Sequence, residues 1–341
     1  ADNLVATSQP LAVAAGLNAI RQGGNAVDAA LASAITLTVV EPNNNGIGSD
    51  AFCILWDGKE IVGLNASGCS PRGWTKERFA GLSSMPSLGW DAVTVPGCVS
   101  AWVALSKRYG QLPFAALFEA AIHYAEEGFL VGPKSAYYWK LLEPMYADFR
   151  DFAEHFLPAP QAGARFRRPD LARTLRLIAQ SEGEAFYHGE LALAIDAASR
   201  DQGGALRLED LAAHEPMWVE PTRQNYNDVT LHEIPPNGQG LAAQIALGIL
   251  QHLNPETVDS AAWVHQQAEA MKIAIRAAFD HFADPRAMTL DPEALLEPGM
   301  LARAAADISD KAAPLPPRQL PGSKDTVYLT TADSDGMMVS Y

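Results

Sequence analysis

Thr326 stands in KDTVYLTTADSDG, residues 324–336, where a Pro-rich stretch ends and a β-like alternation begins. A hydroxyl is a weak nucleophile that needs a base beside it, and on spacing alone Thr326 reads as an ordinary strand residue. Gly46-Ile-Gly48-Ser-Asp-Ala51 matches G-x-G-x-x-A, a dinucleotide fingerprint that requires a strand before it and a helix after it. Here a helical pattern precedes it and strand patterns follow, so it reads as a tight loop into a hairpin. Asp333-Ser-Asp335-Gly336 begins like a calcium loop but lacks the later ligands and the closing Glu; a hairpin turn is the better reading. The eight His show no ligand spacing, and no G-x-S-x-G, H-E-x-x-H or Walker loop occurs. Neither a metal nor a cofactor is expected.

The elements around these residues follow from periodicity and turn chemistry. QPLAVAAGLNAIRQ, residues 9–22, predicts an Ala-rich helix stopped by Gly23-Gly24. Asn25 caps a second helix, NAVDAALASAITLTVV, apolar nearly all round and so buried. Two strand-like runs flank Asp57-Gly58, a hairpin signal that recurs at Asn227-Asp228 and Asp335-Gly336. DAVTVPG, residues 91–97, reads as a short strand; amphipathic helices follow over 98–110 and 113–128, with Trp102, Leu105, Tyr109 and Phe114 as a core stripe. Residues 134–215 look largely helical, as do 237–250 and 260–282. Helices flanking β-hairpins suit antiparallel sheet layered with helix better than a doubly wound parallel sheet.

Composition narrows the function. A net charge of −15 and the lack of a Lys/Arg-rich patch argue against nucleic acid and anionic membrane as partners. Cys53, Cys69 and Cys98 are too few, and odd in number, for a disulfide scaffold, and their apolar or small-residue surroundings suggest packing. No apolar run approaches the ~20 residues that span a bilayer. A cytoplasmic protein is expected, or a periplasmic one if a leader preceded Ala1.

Six collinear blocks, GGNAVDAALA, EPNNNGIGSDAF, VPGCVSAWVALSKRYGQLPF, AIHYAEEGF, LRLEDLAAHEP and IPPNGQG, together resemble the gamma-glutamyltranspeptidase family. The resemblance implies an α+β fold, the four-layer αββα sandwich of N-terminal nucleophile hydrolases. It also implies a precursor that cuts itself in two, freeing a threonine as nucleophile. The matching residue is Thr326, and the implied scissile bond is Asp325–Thr326. Residues 1–311 would then form the large-chain region, 312–325 a Pro-rich linker, and 326–341 the start of the small chain. The groups that complete the site, a Gly-Gly oxyanion hole among them, are expected beyond Tyr341. The partner implied is the chain's own C-terminal part, in an αβ heterodimer or an (αβ)2 heterotetramer.

The chemistry suits the position. A freed α-amino group, with an unperturbed pKa of about 7.7 to 8.0, can act as base for its own side-chain hydroxyl. One departure bears on substrate. Asn65-Ala-Ser67-Gly-Cys69-Ser-Pro71 puts Ser67 where the family's transpeptidases carry an Arg that grips the glutamyl α-carboxylate, and a serine cannot form that bidentate charged clamp. Asn65, Ser67 and, as a substitute cation, Arg72 are therefore the candidate substrate-binding residues. The change resembles the branch of oxamate amidohydrolases and some cephalosporin acylases. The expected reaction is hydrolysis of a small amide such as oxamate to oxalate and ammonia. Glutathione hydrolase or transpeptidase activity, a cephalosporin acylase-like activity and a non-catalytic relative are the alternatives.

Overall fold

A computed structural model describes residues 2–253, 257–314 and 326–341. From the N-terminus the elements are β1 (Leu4–Thr7), α1 (Pro10–Arg21), α2 (Ala26–Val40), β2 (Ala51–Trp56), β3 (Ile61–Ala66), α3 (Cys98–Tyr109) and α4 (Glu119–Glu127). There follow β4 (Phe129–Leu130), α5 (Pro133–Tyr146), α6 (Arg150–Phe156), β5 (Arg165–Phe166), α7 (Pro169–Gln180), α8 (Glu184–Tyr187), α9 (Glu190–Asp201) and α10 (Leu208–Ala212). The rest are β6 (Met217–Val219), β7 (Thr222–Tyr226), β8 (Val229–Glu233), α11 (Gly240–Leu250), α12 (Ala261–His281), α13 (Pro298–Ala306), β9 (Leu329–Ala332) and β10 (Met338–Ser340). The described residues form two compact units: 2–60, 65–217 and 326–341 in the first, and 61–64, 218–253 and 257–314 in the second.

The first unit is built on antiparallel strands in the order β1-β9-β10-β2. β9 lies inside the sheet, with Leu4 opposite Ala332 on one side and Met338 opposite the same residue on the other. Helix α2 packs on β9 and β10, and α1 packs on α2. All fifteen residues of α2 are buried, as its charge-free run after Asp28 demands. Its Leu31, Ile35 and Leu37 each contribute roughly 1.5–3 kcal/mol by leaving water. Gly16 sets the helix spacing, since a Cβ there would lie 2.8 Å from the Ala29 carbonyl oxygen.

The start of α2 is fixed from two sides. Asn25 and Asp28 form the capping box, and the Asp28 carboxylate also accepts from the Gln111 N–H at 3.0 Å. From the sheet, Asp333 accepts from the Ala26 N–H at 2.9 Å while the Thr331 hydroxyl donates to the Ala26 carbonyl at 2.7 Å. The other Asp333 oxygen accepts from the Asp335 and Met337 N–H groups, and Gly336 turns at φ 90°. Residues 333–336 are thus the expected hairpin turn.

Residues 91–97 correct one expectation. They hold no strand: Trp90–Ala92 form a single 3-10 turn and the rest belongs to no regular element. The Val95 N–H goes to the Cys69 carbonyl, Pro96 has none to give, and the Gly97 and Cys98 N–H groups both go to the Ser49 carbonyl. The segment joins two loops and enters no ladder. Within the helical region 134–215, β5 breaks the run by pairing with β4, Phe129 opposite Phe166.

The second unit holds the β7–β8 hairpin and helices α11 to α13, whose core includes Leu241, Ile245, Ile249, Leu295 and Leu301. Asn227 turns the hairpin at φ 52°. Buried Gln244 donates to the Thr222 and Leu231 carbonyls and accepts from the Thr222 hydroxyl, so this polar group enters the core with its bonds satisfied. No helix among the described residues is long and apolar enough to cross a membrane.

Candidate active site

Thr326 reaches β9 through Val327 and Tyr328, and the backbone just past it is held from both sides. The Thr7 hydroxyl donates to the Tyr328 carbonyl at 2.7 Å. Leu329 and Tyr341 exchange both backbone hydrogen bonds, at 3.0 and 2.9 Å. The Tyr328 and Ser340 hydroxyls lie 3.1 Å apart. Thr326 itself is exposed at the N-terminal end of this strand.

Register identifies what shares that end of the sheet. Ser340 opposite Ile54 brings the start of β2, and the Ser49-Asp50 loop before it, beside Tyr341. The Ser49 carbonyl accepts from the Gly97 and Cys98 N–H groups, and Gly97 abuts the Ala66 carbonyl, which brings Asn65–Ser67 to the same end. Thr326, Asp50, Asn65 and Ser67 therefore gather at one sheet end although their sequence positions differ widely.

Asn65 and Ser67 are buried, and the Ser67 N–H donates to the Asn65 side-chain oxygen at 3.0 Å. Backbone crowding fixes this corner. A Cβ on Gly68, whose φ is 72°, would stand 1.8 Å from the Val95 carbonyl oxygen, and one on Gly97 would stand 1.8 Å from that of Ala66. Only glycine permits both approaches.

Arg72 does not join them. Its N–H donates to Asp210 at 3.1 Å, its Nε lies 3.9 Å from the same oxygen, and its side chain is 74% exposed. It lines a separate cavity of about 330 Å³ with Arg78, Arg207 and Glu209. Asp325 and residues 315–324 of the linker lie outside the described residues.

Two groups at the sheet end went unread in the sequence. Asp50 reaches solvent, yet the protein crowded around it pushes its carboxyl above the usual carboxylate range. The Tyr341 hydroxyl accepts from Trp102 Nε1 at 3.1 Å, and burial raises it well above an ordinary phenol. Nothing local marks either residue, because register brings them there. Burial pushes the Cys53 thiol up to about 12 and the Cys98 thiol still higher; the Cys98 thiol donates to the Ile47 carbonyl at 3.3 Å. Both are packing groups, as their surroundings suggest; Cys69, of which the same was expected, is instead exposed. The G-x-G-x-x-A run is a loop closed by Ser49, whose hydroxyl accepts from the Gly46 N–H at 3.0 Å. Among the described residues, no group of three or more His, Cys, Asp or Glu could hold a metal ion.

The fold is shared with a solved cephalosporin acylase from Bacillus halodurans, at a TM-score of 0.93 and 43% identity over 99% of this chain and 65% of that one. It is the α+β fold of the N-terminal nucleophile hydrolases. The chain belongs to the gamma-glutamyltranspeptidase family, whose model matches residues 12–341. It is 35% identical to the oxamate amidohydrolase proenzyme of Klebsiella pneumoniae over 97% of this chain and 64% of that protein. It is 32% identical to a glutathione hydrolase-like proenzyme, YwrD, of Bacillus subtilis over 99% of this chain and 66% of that protein. The chain thus spans just under two thirds of these curated relatives.

Proposed function

We propose that the whole protein is a self-cleaving amidohydrolase in which Thr326 is first the agent of chain cleavage and then the nucleophile. The observation behind this reading is the position of Thr326, at the head of an interior strand and on the sheet end that also carries Asn65 and Ser67. In the precursor, the Thr326 hydroxyl attacks the Asp325 carbonyl, the acyl group passes from nitrogen to oxygen, and water hydrolyses the ester. This frees the Thr326 amine. That amine takes the hydroxyl proton as Oγ attacks a substrate amide, the leaving nitrogen departs as ammonia, and water resolves the acyl-enzyme. Residues 1–325 and the part beginning at Thr326 would stay together as an αβ pair; the proenzyme names of the relatives support processing.

Ser67 supports a small acidic amide of the oxamate type over a glutamyl donor. It is buried and uncharged where a bidentate clamp would be needed. The likeness to the acylase supports a second reading, a larger amide held by apolar contacts.

The test uses the complete precursor and its Thr326→Ala form. Intact mass and N-terminal sequencing should find a fragment beginning Thr-Val-Tyr-Leu in the first and an uncut chain in the second. Oxamate, a glutamyl anilide and a cephalosporin-type amide are then offered to the cut enzyme, and oxamate should turn over fastest. Normal two-chain product from Thr326→Ala would overturn the mechanism, and faster glutamyl transfer would overturn the substrate.

A further inference from the structure

We propose that His214 is a positioning residue for the Ser67 wall of the site, acting through Ser100 and the Pro96-Gly97 turn; this rests on the functional reading above. Helix α3 has glycine, Gly97, at its N-cap and hence no capping side chain. Tyr187 supplies the missing acceptor: its hydroxyl takes the Ser100 N–H at 3.0 Å and donates to the Pro96 carbonyl at 2.9 Å. The Ser100 hydroxyl in turn donates to the Gly97 carbonyl at 2.7 Å and lies 2.9 Å from His214 Nε2.

A serine hydroxyl has one proton. With that proton on Gly97, the contact to His214 requires the imidazole to donate from Nε2. His214 therefore closes the network as a donor and is not poised as a base for Ser100. Its ring also packs on the Tyr187 ring, with centroids 5.3 Å apart, so one side chain supports both anchors of the turn. Burial holds the imidazole below its ordinary pKa, against an opposing pull from Glu215, which fits a neutral donor.

The turn bears directly on the site. Gly97 abuts the Ala66 carbonyl, Val95 abuts Gly68, and the Ser49 carbonyl accepts from both the Gly97 and Cys98 N–H groups. The Ala66–Gly68 corner and the Ser49-Asp50 loop thus rest on one short segment, whose far side is held by Tyr187, Ser100 and His214. A shift of that segment displaces Ser67 while leaving β9 and Thr326 in place.

The experiment compares His214→Gln, which keeps a donor near Nε2, with His214→Asn, which keeps much of the volume but falls short, and with Tyr187→Phe. All are made in the complete protein. Self-cleavage should stay complete in each. For oxamate, His214→Asn and Tyr187→Phe should raise KM about three- to tenfold, the scale of one lost hydrogen bond, with kcat within twofold, and His214→Gln should restore KM. Hydrogen exchange should quicken in peptides covering 64–70 and 95–100 for His214→Asn and not for His214→Gln. Unchanged exchange in those peptides, equal effects of Gln and Asn, or a fall in kcat at constant KM overturns the proposal. An uncut wild-type protein, or one inactive on all three amides, would instead defeat the functional reading, and exchange would still decide the role of His214.

Discussion

The Asp333 carboxylate accepts a hydrogen bond from the Ala26 backbone N–H across 307 positions of sequence. The same side chain holds its own turn through the N–H groups of Asp335 and Met337. It therefore joins the β9–β10 hairpin, which follows Thr326, to the first turn of the buried helix α2, where negative charge is favoured by the helix dipole. Asp333→Ala should lower unfolding stability by about 1–3 kcal/mol, since it strands several backbone donors at once. Asp333→Asn, which keeps an acceptor oxygen, should lose less. Urea midpoints of the complete protein decide it, and an unchanged midpoint for the alanine form would refute the account.

Thiol titration tests the burial pattern. Cys53 and Cys98 are buried with thiols pushed up, while Cys69 is exposed. Peptide mapping after an aromatic disulfide reagent at pH 8 should find, among these three, Cys69 alone labelled fast in the folded protein and all three labelled in denaturant, and Cys69→Ser should remove that fast label. Fast labelling of Cys98 in the folded protein would mean that the core around it admits solvent.

The approach of Gly97 to Ala66 invites a steric test. Gly97 has φ −109°, an angle any residue adopts, so Gly97→Ala introduces no backbone penalty and isolates the 1.8 Å clash with the Ala66 carbonyl. The expected loss is about 1–3 kcal/mol, and KM for oxamate should rise as well because the displaced backbone leads to Ser67. Gly46→Ala, where a Cβ would meet nothing within 4 Å, is the control and should be close to neutral in stability.

Acid should expose the pair between Arg168 and Asp170. Arg168 Nε donates to Asp170 at 2.9 Å, and the guanidinium holds that carboxyl down to about 2. A depressed folded pKa stabilises above the unfolded value near 4 and stops doing so as pH falls through 2. The stability gap between wild type and Asp170→Asn should therefore be present at pH 6 and narrow towards pH 2. With Asp170 41% exposed, the gap should stay below ~1 kcal/mol. A gap that does not change with pH would show that the asparagine acts by another route.

Local signals carried much of this architecture. Asn25 as a cap, an apolar run that could only be buried, and the Asp57-Gly58 and Asp335-Gly336 turns all act within a few residues. Strand β1 went unread because its four residues have meaning only opposite β9, more than three hundred positions away. β4 and β5 are two residues each, too short for any alternation to show. DAVTVPG has strand composition, yet its hydrogen bonds go to loops at Cys69 and Ser49 that no periodicity reveals. For the site, Thr326 stood out only through collinear family blocks. Its gathering with Asp50 and Ser67 depends on strand register, which sequence spacing does not state.

The interior place of β9 has a mechanical corollary. A backbone break just ahead of Thr326 would leave the downstream piece, which carries β9 and β10, stitched on one side to β1 and on the other to β2, both strands of the upstream piece. Two ladders would have to unzip together before the halves could separate. The severed molecule would thus keep its shape, and the new amine would stay where the broken bond had been.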